Sequence, residues 1–590
     1  MNELQLLKKC NNLNDLAYLL NSTPKVFSYI LFSKPIYLKY EKFEIPKKNG
    51  EKRTILSPNK DLKILQQALA KLLDNCLNII EKDRLQSSSY IKSILSHGFR
   101  SKYQIHLPIS KTNRKTLKEI DLRLGIYTNA YKHKGKKYVL NIDLKDFFKS
   151  ITFKRIVGFF CKNEYFQLNP KVAILIAQIS TYRESEKFEA FLPQGSPCSP
   201  VISNLISNIL DNRLNQLAKK NQCTYTRYAD DLTFSTNLAS FPEEIFDLEH
   251  KIIGKKLLKI IKNSWFTINT SKTRLTHYQN RQEVTGLVVN KKVNISKNYY
   301  RYSRTMIHSY CRNGIFHKSN IHNKPEIVNV DAITGITNHI FNIKKNNFEK
   351  SNKFREFEHL DSIERLYVTF HFHRELVHNI KPFIICEGIT DPLHLKHAYK
   401  ILYDVACPFK ISSIEEIKPL HNIMGLSNGV GPMIKFLVTY SKIYKSVVKN
   451  PNACIFLVDG DKDGNSFIKS VTEFYKQSNE LIFPNYRKLS VPLLTTYHIN
   501  KNLYIVQLPK DTCIEDIYEP TVLKLLLNGR TYNSSNTSFD LTQFYGKVDL
   551  INKVIKPAGL LINFSNFHLI LDTFHHIQIH NYLNNIKLQS

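Results

Sequence analysis

Paired cysteines and long apolar runs are both missing from this chain. Its ten cysteines are scattered singly, and none belongs to a Cys-x-x-Cys pair. This spacing excludes zinc ribbons and argues against a disulfide framework, so we expect a protein of the reducing cytoplasm. An apolar run such as 172–179 is far too short to span a bilayer, and no signal peptide opens the chain. We therefore expect no membrane partner.

Acidic residues are scarce relative to basic ones. The 590 residues include 50 Asp and Glu against 84 Lys and Arg, a net charge of +34. Residues 1–325 hold 55 basic and 25 acidic residues, whereas residues 326–590 hold 29 and 25. The first part is therefore suited to binding a long polyanion, and the second part is not. The length exceeds that of a single core, so two or three domains are expected.

Two adjacent acids stand out in residues 225–234, which read Tyr-Thr-Arg-Tyr-Ala-Asp-Asp-Leu-Thr-Phe. Apolar and aromatic residues flank Asp230 and Asp231, which predicts the tip of a β-hairpin. An isolated pair would suggest a solvated turn, but a second β-rich run, 139–144, delivers a third acid, Asp143. Three carboxylates on two strands suit two-metal phosphoryl transfer, in which one metal activates a 3′-hydroxyl and the other neutralises the leaving pyrophosphate.

Other segments of the first part carry weaker signals. Residues 192–200, Leu-Pro-Gln-Gly-Ser-Pro-Cys-Ser-Pro, precede a predicted helix over 201–214 and favour an irregular backbone that approaches a substrate closely. An Asn-Gly centre predicts a hairpin over 43–55. We also expect an exposed basic insertion over 101–124, a basic, aromatic helix over 299–312 and a loose connector over 318–355.

The order of these motifs resembles the palm of reverse transcriptases. Two further blocks, Asn-Ala-Tyr-Lys-His at 129–133 and Val-Thr-Gly at 284–286, resemble those of bacterial retron reverse transcriptases. The resemblance implies an α+β right-hand polymerase over 1–325, with fingers and palm over about 20–285 and a thumb over about 286–325. The motifs that carry it are 143–148, 192–195, 228–231, 268–273 and the two blocks.

The resemblance also implies a role for individual residues. Asp143, Asp230 and Asp231 would hold two Mg²⁺. Phe148 would exclude a ribonucleotide's 2′-hydroxyl. The incoming dNTP would be contacted by Gln194 and Arg53, and Lys272 would protonate the pyrophosphate. The retron's own RNA would be gripped by Asn129, His133, Val284, Thr285 and Gly286. One departure is that the basic insertion separates Gly98-Phe99 from Asn129, whereas the family runs directly from one to the other.

The second part contains acids at the ends of two predicted strands. Glu387 follows the apolar run 383–386, and Asp459-Gly-Asp461-Lys-Asp-Gly follows 453–458. Acids at the carboxyl ends of parallel strands converge on one crevice. The second segment also resembles the start of a calcium loop, but the twelfth position is Ser470 rather than Glu.

This pair of motifs resembles a Toprim domain, which we place over 381–560, after a connector over 326–380 and before a helical tail over 561–590. The resemblance implies Mg²⁺ or Mn²⁺ held by Glu387, Asp459 and Asp461. Residues 514–516 and 545–547 resemble the additional acid and lysine, here Lys547, of Toprim nucleases of the overcoming-lysogenization type. A topoisomerase would need a nucleophilic tyrosine module and a primase a zinc ribbon, so a nuclease remains.

Together these resemblances imply a retron polymerase fused to an α/β Toprim-like nuclease. It would copy a dedicated non-coding RNA into RNA-linked single-stranded DNA (msDNA), primed from a 2′-hydroxyl of that RNA, with host RNase H removing the template. The nuclease would act in anti-phage defence, and the chain could form a homo-oligomer. Two alternatives remain open: a Toprim module that only assembles the complex, and a mobile-intron reverse transcriptase, which the retron blocks and the missing Cys-rich tail disfavour.

Overall fold

A computed structural model gives the structure of the chain, which folds as two units, Met1–Ser296 and Lys297–Ser590. The residues that it describes are 2–33, 35–46, 50, 52–85, 94–100, 103–108, 117–122, 124–319, 325–345, 353–427, 429–444, 446, 450–477, 486–489, 493–534, 540 and 542–586.

The first unit mixes helices with short antiparallel sheets. Its helices are α1 (Glu3–Lys9), α2 (Leu13–Leu19), α3 (Pro24–Phe32), α4 (Lys60–Leu85), α5 (Ile126–Lys132), α6 (Phe153–Lys162), α7 (Pro170–Ser180), α8 (Ser199–Lys220) and α9 (Lys255–Asn263). Its strands are β1 (Tyr40–Pro46), β2 (Lys52–Pro58), β3 (Tyr103–Pro108), β4 (Leu117–Leu122), β5 (Tyr138–Lys145), β6 (Thr224–Tyr228), β7 (Asp231–Thr236), β8 (Phe246–Asp247), β9 (Ile252–Ile253), β10 (Thr267–His277), β11 (Glu283–Val284) and β12 (Leu287–Val288).

A four-stranded antiparallel sheet in the order β10-β5-β7-β6 lies at the centre of this unit. Apolar residues at alternate positions of β5 and β7, such as Leu140 and Phe234, are buried, and in β7 the polar residues between them are buried as well. They share one core with residues of helices α4, α6, α7 and α8. One face of the sheet is therefore fixed by apolar burial, which sets the register of the polar residues at its end.

Several predicted elements are confirmed. The hairpin over 224–236, the hairpin of β1 and β2, and the helix after residue 198 are all present. Within the basic insertion, β3 and β4 pair as antiparallel strands, while 109–116 lies outside the described residues. The exposure expected for the insertion stays a prediction, because the side chains of 101–123 are not described.

The second unit begins with helices and continues with a mixed sheet. Its helices are α10 (Lys297–Asn313), α11 (Val330–Lys344), α12 (Ser362–Phe372), α13 (Asp391–Tyr403), α14 (Lys418–Met424), α15 (Val430–Ile443), α16 (Lys462–Gln477), α17 (Pro520–Leu523), α18 (Lys547–Asp549), α19 (Lys556–Ala558) and α20 (His568–Ile586). Its strands are β13 (His317–Ser319), β14 (Pro325–Ile327), β15 (Phe383–Cys386), β16 (Lys410–Ser413), β17 (Cys454–Val458), β18 (Arg487–Leu489), β19 (Thr495–Asn500), β20 (Leu503–Gln507), β21 (Thr531–Tyr532) and β22 (Phe544–Tyr545).

Six strands of this unit form one sheet in the order β16-β15-β17-β20-β19-β18. The first four strands run parallel, and β19 and β18 are antiparallel to their neighbours. Successive residues of the central strands enter two different cores: Ile455 faces helices α13 and α20, and Phe456 faces helices α14 to α16. A sheet covered on both faces by helices is the α/β architecture that the second part was predicted to have.

Two boundaries differ from those expected. Helix α10, predicted to belong to the thumb of the first domain, lies in the second unit. Its residues Met306 and Tyr310 pack with Ile333 of α11 and Phe370 of α12. The loose connector predicted over 318–355 contains helix α11, since apolar residues at helical spacing are buried along it.

Among the described residues no single helix is both long and apolar enough to cross a membrane. The bent pair Lys547–Leu561 and Ser565–Asn585 has, taken together, the length and composition of a span.

Candidate functional site

Three aspartates meet at the end of the central sheet of the first unit. Asp143 of β5 lies directly opposite Asp231 of β7 in the strand register, so their side chains project from the same face. Ala229, with φ of +56°, turns the chain tightly between β6 and β7. The backbone carbonyl of Asp230 accepts a hydrogen bond from the Leu144 amide at 3.0 Å, which fixes the turn against β5. We call Asp143, Asp230 and Asp231 the aspartate triad.

Burial and neighbouring negative charge both disfavour ionisation within the aspartate triad. Burial, followed by the charges of Asp230 and Asp143, raises the pKa of Asp231 to about 7. Burial also raises the pKa of Asp230, with Asp143 adding to the rise. Carboxylates that are partly desolvated and close together favour a bound divalent cation, because its charge removes the repulsion. The oxygen donor set of the triad therefore fits Mg²⁺.

Asp143 is held by two donors from strand β10. The Lys272 ammonium lies 3.1 and 3.2 Å from its two carboxylate oxygens, and the Asn269 amide donates to Oδ2 at 3.1 Å. Among the described residues, no three Asp, Glu, His or Cys side chains are arranged as they stand to hold a metal ion. At the triad, Lys272 and Asn269 hydrogen-bond to the oxygens of Asp143 that would face a metal.

The loop before helix α8 lies against the strand that carries Arg53. The Gln194 carbonyl accepts a hydrogen bond from the Leu56 amide at 2.8 Å. Gly195 has φ of +124°, and a Cβ there would stand 2.6 Å from the Leu56 carbonyl oxygen, so only glycine fits. Arg53 is exposed, and its charge partly offsets the rise that burial causes in the pKa of Asp230. The sequence-predicted Gln194 and Arg53 are thus brought to the same edge of the site.

Phe148 lies in the turn that follows strand β5, five residues after Asp143. Its half-buried ring lies 5.4 Å from the ring of Phe147 and 6.1 Å from that of Phe99. Gly98, next to Phe99, approaches the hairpin so closely that a Cβ there would lie 2.8 Å from the Ala229 nitrogen. The predicted ring is therefore positioned from two sides, by the core and by the 95–99 segment.

A buried ion pair supports the hairpin from behind, and it was not predicted. Arg227, fully buried, donates to both carboxylate oxygens of Asp211 at 2.9 and 2.8 Å. It also donates to the Ala229 carbonyl and to Asn204, whose amide in turn donates to the Gly98 carbonyl. In the sequence, Arg227 lies three residues before Asp230 on a predicted strand. A charged residue among the aromatic residues of that strand is the one local feature that points to a buried ion pair.

The structure contradicts the expectation that Asn129 and His133 grip RNA directly. Both side chains are fully buried. The His133 ring nitrogens lie 2.7 Å from the hydroxyls of Ser235 and Thr226, and Asn129 accepts a hydrogen bond from Thr226 at 2.6 Å. Burial lowers the pKa of His133 to about 3, so the ring is neutral. The Asn-Ala-x-x-His block instead fastens helix α5 to the aspartate hairpin.

Val284 of the Val-Thr-Gly block ends strand β11, and Thr285 and Gly286 form the two-residue turn to β12. Thr285 and Gly286 have φ values of +47° and +78°, as a tight hairpin turn requires. Val284 is buried, so its side chain is not available to RNA, whereas Gly286 is exposed. Contact of RNA with Thr285 and Gly286 stays a prediction.

A second group of acids lies at the carboxyl ends of parallel strands in the second unit. Glu387 follows β15 and Asp459 follows the neighbouring β17, and the Asp459 amide donates to Glu387 Oε2 at 3.3 Å. Asp461 accepts a hydrogen bond from the Gly464 amide at the start of helix α16. Burial raises the pKa of Glu387, and the charge of Asp461 adds to the rise. The three predicted acids therefore share one crevice.

Two more acids and a lysine complete this crevice. Asp391, which the sequence did not single out, is buried and accepts a hydrogen bond from the Gly388 amide at 2.7 Å. Lys547 donates to the buried Glu515 at 3.1 Å. Burial, followed by the charges of Asp391, Glu387, Glu515 and Asp461, raises the pKa of Asp459 to about 8. We call Glu387, Asp391, Asp459, Asp461 and Glu515 the acidic crevice.

The composition of the acidic crevice fits a hard divalent cation. Its five acids offer carboxylate oxygens, as Mg²⁺ or Mn²⁺ prefers, and the buried His394 ring lies 4.0 Å from Glu515 at its edge. Lys547 brings a positive charge to the crevice, where its ammonium pairs with Glu515 at 3.1 Å. The spacing Glu387-x-x-x-Asp391 at a strand-to-helix junction was the signal through which Asp391 could have been found.

Comparison with known proteins places the similarity in the first half of the chain. The family model described as reverse transcriptase (RNA-dependent DNA polymerase) matches residues 45–296. The chain is 31% identical to the retron Ec86 reverse transcriptase of Escherichia coli, over 50% of this chain and 78% of that protein. It is 33% identical to the retron Mx162 reverse transcriptase of Myxococcus xanthus, over 42% of this chain and 47% of that protein.

A third relative is the retron Mx65 reverse transcriptase of Myxococcus xanthus, 30% identical over 46% of this chain and 56% of that protein. The match thus spans about half the length of both Myxococcus proteins. Among solved structures, a telomerase from Candida albicans matches 57% of this chain and 60% of its own, with 13% identity and a TM-score of 0.26. A TM-score of this size is too low to support a conclusion about fold or function.

Proposed function

Because the chain belongs to the retron reverse transcriptase family, we propose that its first unit is an RNA-directed DNA polymerase that makes msDNA from a dedicated non-coding RNA. The single observation that carries this proposal is the register of β5 and β7, which sets Asp143 opposite Asp231 with Asp230 at the turn. Two bound Mg²⁺ would supply activation of a 3′-hydroxyl and neutralisation of pyrophosphate. The aspartate triad would hold them.

The residues around the aspartate triad have distinct roles in this proposal. Arg53 would contact the triphosphate of the incoming dNTP, since its guanidinium is exposed and its charge acts on Asp230. Gln194 would contact the nucleotide from the loop against β2. Phe148 would exclude the 2′-hydroxyl of a ribonucleotide through the bulk of its ring. Once the Lys272 ammonium has left Asp143, Lys272 would donate a proton to the pyrophosphate.

Basic surfaces support binding of the RNA. The charge excess of residues 1–325 attracts phosphates without reading sequence. Helix α10 presents one face on which Arg301, Arg304, His308 and Arg312 recur at helical spacing around a shallow groove. Charged side chains in such a row follow a phosphate backbone. We infer that RNA affinity falls steeply with salt and depends on this row, as the retron RNA and its msDNA are long polyanions.

For the second unit we propose a Toprim-type, metal-dependent nuclease that acts in anti-phage defence. Carboxylates from two adjacent parallel strands, with Lys547 beside them, supply the metal ligands and the positive charge that phosphodiester cleavage uses. The RNA-linked DNA would hold this nuclease in check until infection. Host RNase H as a partner and a homo-oligomeric state belong to the same proposal. A module that only assembles the complex is the competing function, and it predicts no metal-dependent cleavage.

Separate substitutions in the two sites test the proposal. Asp230→Asn with Asp231→Asn should abolish DNA synthesis and leave RNA binding intact, because charge is removed and volume is kept. Glu387→Gln should leave DNA synthesis intact and remove nuclease activity and protection from phage. Matched controls are Glu249→Gln and Asp404→Asn, which each remove one exposed acidic charge away from these sites.

Two results would contradict the proposal. If RNA-linked DNA still forms in the Asp230/Asp231 double variant, the aspartate triad is not the polymerase site. If the Glu387→Gln protein cleaves nucleic acid like the parent, the acidic crevice is not a nuclease site. Loss of protection without any measurable cleavage by the parent protein would favour the assembly function of the second unit.

A further inference from the structure

The only tryptophan of the chain lies on the surface of the first unit. Trp265 is 78% exposed, directly after helix α9. Its φ is +60°, at a position following a helix end where glycine is favoured. A large, exposed apolar side chain thus occupies a position whose backbone conformation is less strained for glycine than for other residues. Packing does not account for this residue.

Two arginines fix the backbone on which this indole stands. Arg155 of α6 donates to the carbonyls of Ser264 and Trp265 at 2.9 and 3.2 Å, and it stacks on the Phe266 ring at 4.4 Å. Arg213 of α8 donates to the Ser264 hydroxyl at 3.1 Å. The segment is held from two helices, so the backbone that carries the indole is fixed in place, which lowers the cost of ordering a binding platform.

Trp265 lines a groove of about 550 Å³ together with charged side chains. The groove contains three cations, Arg155, Lys162 and Arg213, against one acid, Glu164. Lys162, Arg213 and the adjacent Lys262 are exposed. An exposed aromatic face flanked by cations is complementary to a nucleobase and its phosphates. Phe159, Ile206, Ile209, Leu210 and Phe266 also line the groove, so apolar surface for a base lies beside cations for its phosphates.

We propose that Trp265 stacks on an unpaired base of single-stranded nucleic acid, with Lys162 and Arg213 contacting the adjacent phosphates. Trp265 precedes Asn269, which pairs with Asp143 in the register, by four residues, at most about 14 Å of chain. This short separation keeps Trp265 in the neighbourhood of the aspartate triad. The inference rests on the proposed polymerase function only for the source of the strand, which is either RNA template or DNA product.

The full-length protein allows a direct test, because Trp265 is the sole source of tryptophan emission. The probes are a short, dye-labelled single-stranded uridine RNA and its thymidine DNA counterpart. Indole emission of the unlabelled complex and anisotropy of the labelled probe are measured over the same titration. We expect quenching of the indole to saturate together with the anisotropy, for RNA, DNA or both, and a response with either strand supports the site.

Three variants complete the test. Trp265→Gly should weaken probe binding by about 5- to 150-fold, the range for one base–aromatic stack. Trp265→Phe should retain most of the affinity, and Tyr18→Ala, which removes another exposed aromatic residue, should bind like the parent. Glycine suits the φ of +60°, so the thermal unfolding temperature of Trp265→Gly should equal or exceed that of the parent. This separates loss of stacking from loss of fold.

An indole emission that stays constant while the labelled probe binds would overturn the proposal. Equal affinity of Trp265→Gly and the parent would also overturn it, as would the absence of binding by both probes. Failure of the proposed polymerase function would instead appear as absent DNA synthesis by the parent protein on a primed RNA template. The two failures are therefore distinguishable.

Discussion

The Lys272 ammonium contacts both carboxylate oxygens of Asp143, at 3.1 and 3.2 Å. This pair joins the residue proposed to protonate pyrophosphate to a residue proposed to hold metal. The Lys272 side chain is 60% exposed, so the pair contributes at most about 1 kcal/mol and can be broken by a bound cation. Metal binding would thereby free Lys272 for the leaving group.

Replacing Lys272 by Ala should therefore have two opposite effects. The rate of nucleotide addition should fall about 100-fold or more, since a positioned general acid contributes roughly that much. The Mg²⁺ concentration for half-maximal activity should fall as well, because the Lys272 ammonium no longer competes with Mg²⁺ for Asp143. Single-turnover extension at varied Mg²⁺ measures both, with Lys291→Ala as an exposed control. An unchanged rate would exclude the proposed acid role.

Mg²⁺ should stabilise the protein more at pH 8 than at pH 5.5. The raised pKa of Asp231, about 7 against an ordinary 3.8, means that the metal-free folded state holds a proton between these values that the unfolded state has lost. The stability of the metal-free protein therefore falls as the pH rises from about 3.8 to about 7. Below pH 7, a metal that binds Asp231 must also displace this proton, which weakens metal binding.

Thermal unfolding with Mg²⁺ or a chelator at the two pH values checks this expectation. Asp231→Asn should lose most of the Mg²⁺ effect assigned to the first unit, and its metal-free stability should depend less on pH. The pKa of Asp459 is also raised, so the difference between parent and variant gives the part of the pH dependence that comes from Asp231. Equal Mg²⁺ stabilisation of both proteins at both pH values would contradict the metal assignment.

Phe148→Ala should relax the choice of deoxyribonucleotides over ribonucleotides. The ring stands between Phe147 and Phe99, one turn after Asp143, so its removal opens space without disturbing the aspartate triad. We expect discrimination in kcat/KM to fall about 10- to 200-fold, the range for a small steric contact. Phe148→Tyr keeps the bulk and should keep the selectivity. Unchanged selectivity of the Ala variant would make Phe148 a core residue only.

His133→Ala should destabilise the fold and leave the RNA affinity of the folded protein unchanged. It removes the ring that the Ser235 and Thr226 hydroxyls contact inside the core, and a buried group left without a hydrogen bond costs about 1–3 kcal/mol. Denaturant unfolding and RNA titration of the same preparation measure the two quantities, with the exposed His250→Ala as control. Weaker RNA binding at unchanged stability would restore the direct-contact interpretation.

The sequence predicted those parts of the site whose signals are local. The Asp230-Asp231 hairpin, the strand that carries Asp143 and the strands before Glu387 and Asp459 follow from alternating apolar residues and turn residues. Their convergence follows because ends of neighbouring strands meet at one edge of a sheet. These features needed no knowledge of distant contacts.

The contacts that were missed or misread depend on tertiary packing. Arg227 pairs with Asp211 from helix α8, and no local pattern shows that this arginine is inside. Asn129 lies on a short helix and His133 directly follows its end, and sequence alone places such polar residues at a surface. The helix within the expected connector is stabilised by burial against α10 and α12 rather than by its composition.

The nucleic acid that co-purifies with the intact protein tests the central claim most directly. It should contain one non-coding RNA joined through a 2′-hydroxyl to a short single-stranded DNA, and ribonuclease should leave that DNA with a remnant of RNA at its 5′ end. The Asp230/Asp231 double Asn variant should carry the same RNA without DNA. Recovery of unlinked DNA, or of RNA-linked DNA from the double variant, would contradict the account.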